Sequence, residues 1–145
     1  MTEPAASDID VTLLLCDSAQ SIGGKLYVMG GGWTHATLPG PPISMALAVR
    51  FLIPWGLADQ RFQIGVVLRH ADGRPVDLGE GEVGAQTELG VTQPLLGDPD
   101  EPISAVLALQ AGSLPLSAGR YAWVLEINGV ERARAPFVLR EAAAG

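Results

Sequence analysis

Hydrophobic and polar residues alternate with a period of two along most of this chain. The alternation is clearest over residues 43–53, 62–68 and 103–109, where every second side chain is apolar. Successive side chains of a strand point to opposite faces, so each stretch predicts a strand with one buried face. The one helical indication is a single turn at residues 56–59. The pattern therefore predicts an all-β protein.

Turn-forming residues separate the predicted strands. They occur at Asp72-Gly73, at residues 97–100, at Asn128-Gly129 and in the proline-rich residues 38–42. Seven to nine short antiparallel strands at this spacing are typical of a β-sandwich, and a small β-barrel is the alternative. We expect one sandwich domain over residues 9–140, between flexible tails at residues 1–8 and 141–145.

The last hairpin allows a prediction of register. A two-residue turn at Asn128-Gly129 would place Glu126 opposite Glu131, and like charges directly opposite each other are unfavourable. A three-residue loop with Gly129 in the left-handed conformation shifts the register by one residue. It also moves Arg132 and Arg134 to the solvent face, so we predict the three-residue loop.

The stretch GGKLYVMGGGWT at residues 23–34 resembles a nucleotide-binding loop in its five glycines. A Walker loop needs Ser or Thr after Gly-Lys and then a helix, whereas Leu26 follows Lys25 and the next residues alternate as a strand. A dinucleotide-binding loop also opens a helix, and the prolines and β-branched residues after Gly32 oppose one. We interpret residues 30–32 as a break inside a long strand, either a bulge or a bend between sheets, beside Trp33, and expect no bound nucleotide.

Charge is unevenly distributed in this acidic chain of 145 residues and net charge −7. No basic residue lies between Arg74 and Arg120, and most of the acidic excess falls in residues 77–101. Affinity for nucleic acid depends on concentrated Lys and Arg, so we expect no nucleic-acid partner. The acidic segment is interpreted as solvated loops.

The chain shows no sign of a targeting or membrane segment. Acidic residues precede the first apolar run, which is shorter than a signal peptide requires, and about 20 consecutive apolar residues are nowhere found. We expect a cytoplasmic protein without membrane contact. Cys16 is the only cysteine, and we interpret it as a small buried hydrophobic residue.

Four motifs together resemble a family of small bacterial proteins of unknown function. They are GKLYVMGGGW at residues 24–33, ALAVRFLIPW at 46–55, ADGRPV at 71–76 and LPLSAGRYAWVLEING at 114–129. The resemblance implies a compact β-rich domain. It implies no catalytic residue and no cofactor.

Candidate reactive groups are few. His35 and His70 have no second ligand at metal spacing, and no nucleophile motif is present, so we expect neither enzymatic activity nor a cofactor. Asp98, Asp100 and Glu101 lie within four residues and are candidates for a calcium site, although a solvated turn is the preferred interpretation.

Because the sequence offers no reactive or nucleic-acid-binding motif, we expect the protein to be an interaction or structural module. The chain has a single lysine to protect strand edges, and its mean hydropathy is +0.26. We predict self-association, most simply a two-fold dimer, through the small apolar faces that contain Ala48 and Val124. The alternative for that face is a cover formed by residues 38–42 or 89–96 of the same chain. Exposed aromatic residues, Trp55 first among them, would instead favour a small-ligand or carbohydrate-binding module.

Overall fold

The computed structural model describes residues 3–38, 43–79 and 81–141. These residues form ten strands and two 3-10 turns, at Ala6–Asp8 and Trp55–Leu57. The all-β prediction is confirmed, and there are more strands than expected because short strands occupy the glycine-rich region. The strands are β1 (Asp10–Cys16), β2 (Ser18–Ile22), β3 (Lys25–Met29), β4 (His35–Leu38), β5 (Ile43–Ile53), β6 (Arg61–His70), β7 (Gly84–Gly90), β8 (Ile103–Leu114), β9 (Gly119–Ile127) and β10 (Val130–Glu141).

Two sheets face each other across one core. The larger has the order β4-β10-β9-β6-β7 and the smaller β1-β5-β8. Neighbouring strands are antiparallel except β4, which runs parallel to β10. The alternating positions predicted from the sequence point inward, as Phe51 and Ile64 illustrate. No helix in the described part of the chain has the length and apolar character that a membrane crossing requires.

A third, two-stranded sheet covers the outer face of the smaller sheet. The β2–β3 hairpin lies over β5 and β8 and buries a second cluster formed by Cys16, Ala19, Ala46 and Ala48. The side-chain amide of Gln110 donates to the carbonyl of Ala19 and fixes the hairpin to β8. Small side chains permit this close approach. The Ala48 face is thus covered by the hairpin, which was not one of the two predicted covers, and residues 39–42 of one of them lie outside the described residues.

Residues 30–32 carry the chain from the hairpin into the larger sheet, which confirms the predicted bend. Gly30 and Gly32 have positive φ, at 62° and 86°. The amide of Gly32 donates to the carbonyl of Leu15 at 2.8 Å and ties the bend to β1.

The predicted register of the last hairpin was wrong. Asn128 and Gly129 both have positive φ, at 52° and 82°, and form a two-residue turn that does place Glu126 opposite Glu131. The register shift comes later, as a bulge between Glu131 and Ala133. The Glu131 carboxylate binds Arg134 at 2.9 Å, which offsets the repulsion that motivated our prediction.

The bulge also frees Arg132 to bind the N-terminal segment. Its guanidinium donates to the carbonyls of Ala6, Ser7 and Ile9 at 2.7, 3.1 and 2.5 Å. Residues 6–8, assigned to a flexible tail from the sequence, form a turn held against β10 by these bonds. In the predicted C-terminal tail, residues 142–145 lie outside the described residues.

Candidate interaction surface

One side of the sandwich is open. β7 is the edge of the larger sheet and β8 the edge of the smaller one, and both border one cleft. Because five strands face three, β7 extends beyond the smaller sheet. Ala85 and Thr87 pair with the core residues Val66 and Ile64 and so face inward, yet both are exposed. Among the described residues, nothing covers the inner face of this part of β7.

The cleft between the two edges is apolar. It has a volume of about 150 Å³ and is walled by Val83 and Ala85 on one side and Leu109 and Ala111 on the other. Trp123 lines its floor and directs its indole N–H away from water, to the sulfur of Met45 at 3.1 Å. A cavity of about 150 Å³ with apolar walls accepts a benzene-sized group, so the cleft has room for an aliphatic side chain.

The β8 edge has neither charged residues nor proline, although its pairing with β5 is interrupted by a bulge at Ala111. Natural edge strands are kept apart by charged residues, prolines or short length. β8 has twelve residues with the sequence ISAVLALQAGSL, which contains no charge and no proline. Leu107 and Leu109 on this strand are only half-buried. The open side therefore presents a long edge strand without charge or proline.

A turn in the loop between β7 and β8 displays two leucines. Leu95 and Leu96 are fully exposed, at 102% and 101% of the accessible area of a free residue. The amide of Gly97 donates to the carbonyl of Pro94 at 3.1 Å and closes the turn. The half-buried Trp55 ring packs against Gly97, so the turn is supported from below. Since residues 95–96 project into solvent, this segment does not cover the Ala48 face.

The acidic residues beyond this turn are engaged in local structure. A side-chain oxygen of Asp98 accepts the amide of Asp100 at 2.9 Å, and the amide of Glu101 donates to the Asp98 carbonyl at 2.9 Å. Within the described ranges, Asp98, Asp100 and Glu101 do not join a group of three residues able to hold a metal ion. The geometry is that of a carboxylate-capped turn.

The two residues chosen from sequence as interface candidates are buried. Ala48 is 2% exposed beneath the β2–β3 hairpin, and Val124 is 1% exposed. Val124 lies on the outer face of the larger sheet, between Val67 and Arg134 on the neighbouring strands. A second copy could reach neither side chain without rearrangement. The third candidate, Trp55, is half-buried against the leucine turn.

A second, wider pocket lies at the glycine bend. It has a volume of about 470 Å³, opens broadly to solvent and is lined by Asp17, residues 30–32, Trp33 and His35. The indole nitrogen of Trp33 is buried and has no hydrogen-bond partner among the described residues. His70, the other histidine, packs against Tyr121 with ring centres 5.3 Å apart and ring planes tilted by 33°.

Sequence reasoning missed the leucine turn, although a signal was present. Two adjacent leucines stand between Pro94 and Gly97, which are both turn-forming residues. Hydrophobic residues at the centre of a tight turn have little opportunity to reach the core. That combination predicts exposed leucines, whereas the cleft itself depends on the unequal width of two sheets and leaves no local pattern.

The fold and this surface define an all-β sandwich domain with an open apolar side. Residues 11–140 match the model of a family of unknown function, DUF6941, and the chain belongs to that family. This agrees with the resemblance to an unknown-function family noted in the sequence. No curated protein matches the chain.

Proposed function

We propose that this protein is a non-enzymatic interaction module that self-associates through the open side of its sandwich. The proposal keeps the self-association predicted from the sequence and moves it to a new surface. The faces of Ala48 and Val124 are buried, whereas the β7 and β8 edges and the leucine turn are accessible. Exposed apolar patches of this kind commonly mark protein interaction sites.

The observation that carries the proposal is the apolar cleft beside edge strand β7, whose inward-facing Ala85 and Thr87 are exposed. An edge strand offers backbone N–H and C=O groups that a second strand can satisfy, and the cleft offers apolar area to bury. Both features lie on one side, so a single partner can use them together. Occupation of this side would also remove Leu95 and Leu96 from water.

Sedimentation equilibrium over micromolar concentrations tests this function. We expect a wild-type mass above that of the monomer and a monomer mass for Ala85→Lys, which places a charge at the cleft wall. The matched control is Tyr27→Lys on the outer face of the β2–β3 hairpin, where Tyr27 is 54% exposed. A dimer lost in Tyr27→Lys and kept in Ala85→Lys would move the contact to the hairpin and contradict the proposal.

A second candidate function is small-ligand binding in the pocket at the glycine bend. It is favoured by the buried, unpartnered indole N–H of Trp33 in the described part of the chain, because buried donors are normally satisfied. A ligand with an acceptor oxygen, such as a sugar hydroxyl, would supply the partner if the Trp33 ring turned its N–H into the pocket. Titration with a panel of monosaccharides, monitored by tryptophan fluorescence in wild type and Trp33→Phe, tests this candidate. A response that is unchanged in Trp33→Phe, or absent in wild type, would exclude it.

A further inference from the structure

We propose that two copies pair through β7 about a two-fold axis at Thr87, so that each leucine turn enters the cleft of the other copy. This inference rests on the proposed function and specifies its partner and register. The larger sheet then continues from one copy into the next through antiparallel β7 strands. The smaller sheets stay apart because β7 extends beyond β8 in each copy.

The sequence of β7 is self-complementary in this register. Thr87 is the midpoint of Gly84–Gly90, so an axis there pairs all seven residues. Thr87 meets its own copy, Gln86 meets Glu88, and Ala85 meets Leu89. Cross-strand threonine pairs and polar pairs of this type are favourable. An axis at Glu88 would instead oppose two carboxylates, which is unfavourable.

The inner face of β7 in one copy also meets the inner face of β7 in the other copy across the proposed axis. Ala85, Thr87 and Leu89 lie on the inner face, opposite Val66, Ile64 and Phe62 within their own sheet. Antiparallel pairing keeps these side chains on one face, so the exposed inner surface becomes continuous between the two copies. Its apolar members, Ala85 and Leu89 of opposite copies, become direct neighbours.

In the same register, the leucine turn of one copy lies beside the cleft of the other copy. Gly90 of one copy lies opposite Gly84 of the other, and Gly84 belongs to the cleft wall. The loop that follows Gly90 therefore begins beside the partner's cleft, and Leu95 and Leu96 come five and six residues later. Within a single chain, Ala85 and Gly90 are about 17 Å apart at 3.4 Å per residue, and Leu95 and Leu96 do not line their own cleft.

The distribution of acidic residues favours antiparallel pairing of the two β7 strands over parallel pairing. The acidic residues Asp98, Asp100 and Glu101 follow the leucine turn directly. A two-fold axis at Thr87 places the acidic turns of the two copies at opposite ends of the contact. A parallel arrangement would bring them together and would repel.

Complementary charges at the axis test the register. Thr87 is exposed, so Thr87→Lys and Thr87→Glu should fold, which circular dichroism checks. Each variant alone should dimerise about tenfold or more weakly than wild type, because like charges meet at the axis. An equimolar mixture of the two should regain a heterodimer. Dimerisation of Thr87→Lys at wild-type strength, or no recovery in the mixture, would overturn the register.

The leucine turn is tested separately. Leu95→Ser with Leu96→Ser changes only fully exposed side chains, and four leucines per dimer should lose their apolar contacts. We expect the dissociation constant of the dimer to rise about 100-fold or more. The control is Val130→Ser, which is exposed beside the turn of the β9–β10 hairpin, two strands away from β7. A dimer unaffected by the leucine changes would refute the insertion of the turn, whereas a wild-type monomer at every concentration would refute the proposed function itself.

Discussion

Trp55 lies against Gly97 so closely that a Cβ at residue 97 would come within 2.6 Å of the indole Cζ3. Gly97 is therefore required by packing, since any side chain would collide with the ring. The contact joins the end of β5 to the loop between β7 and β8. It supports the turn that displays Leu95 and Leu96.

Removing this support should loosen the leucine turn. In Trp55→Ala, the amide of Gly97 should exchange its hydrogen faster, because the turn bond to Pro94 loses the ring beneath it. Dimerisation should weaken as well, since a mobile turn must be ordered on binding. Hydrogen exchange by NMR and sedimentation measure the two effects. Unchanged exchange at Gly97 would show that the turn is stable without the Trp55 ring.

Ala48 provides a test of the hairpin cover. Ala48→Glu buries a charge beneath the β2–β3 hairpin and should cost several kcal/mol of unfolding free energy at any protein concentration. Gln20→Glu, on the exposed face of the same hairpin, should change the free energy little. Urea denaturation compares the two variants. Equal stability would mean that the hairpin does not cover the smaller sheet.

The glycine bend should be sensitive at Gly30. An alanine there would have to adopt a φ of 62°, and its Cβ would collide with the carboxylate of Asp17, whose Cγ would lie at 2.6 Å. We expect a loss of about 1 kcal/mol or more in unfolding free energy. Gly65→Ala is the control, because the nearest atom to its Cβ would be a Glu126 oxygen at 3.8 Å. ATP titration of the wild type should show no binding.

Cys16 should make stability depend on alkaline pH. Burial, and then the nearby Asp17 carboxylate, raise the pKa of the Cys16 thiol above its ordinary value. The folded pKa exceeds the unfolded one, so this stabilisation is complete below about pH 8.5 and is lost as pH rises through the folded pKa. The unfolding free energy of wild type should therefore fall more between pH 8 and 10.5 than that of Cys16→Ala. Parallel pH curves would contradict the burial of the thiol.

Much of the sandwich could be predicted from local alternation. The strands that contain Phe51 and Ile64 have a large apolar side chain at every second position, because those positions face the core. The last hairpin could not be predicted in the same way. Its bulge at Arg132 depends on carbonyls of residues 6–9, which are far away in sequence. Charge repulsion between Glu126 and Glu131 was overestimated because Arg134 was not considered as a partner.

The candidate site was predictable only in part. The sequence predicted a half-exposed Trp55 and excess apolar surface, but it assigned that surface to Ala48 and Val124. Both residues face away from the core, as expected, yet the fold covers them with the hairpin and with neighbouring side chains. Such covering depends on tertiary contacts that alternation does not encode.

The most direct test of self-association through the open side is hydrogen exchange at two protein concentrations. In a dimer, amides of residues 84–97 gain protection from the partner's strand and turn, while amides of residues 18–29 on the hairpin do not. We predict slower exchange of residues 84–97 at 200 µM than at 2 µM, with residues 18–29 unchanged. Identical exchange of residues 84–97 at both concentrations, in samples whose sedimentation shows a shift from monomer to dimer, would contradict this account.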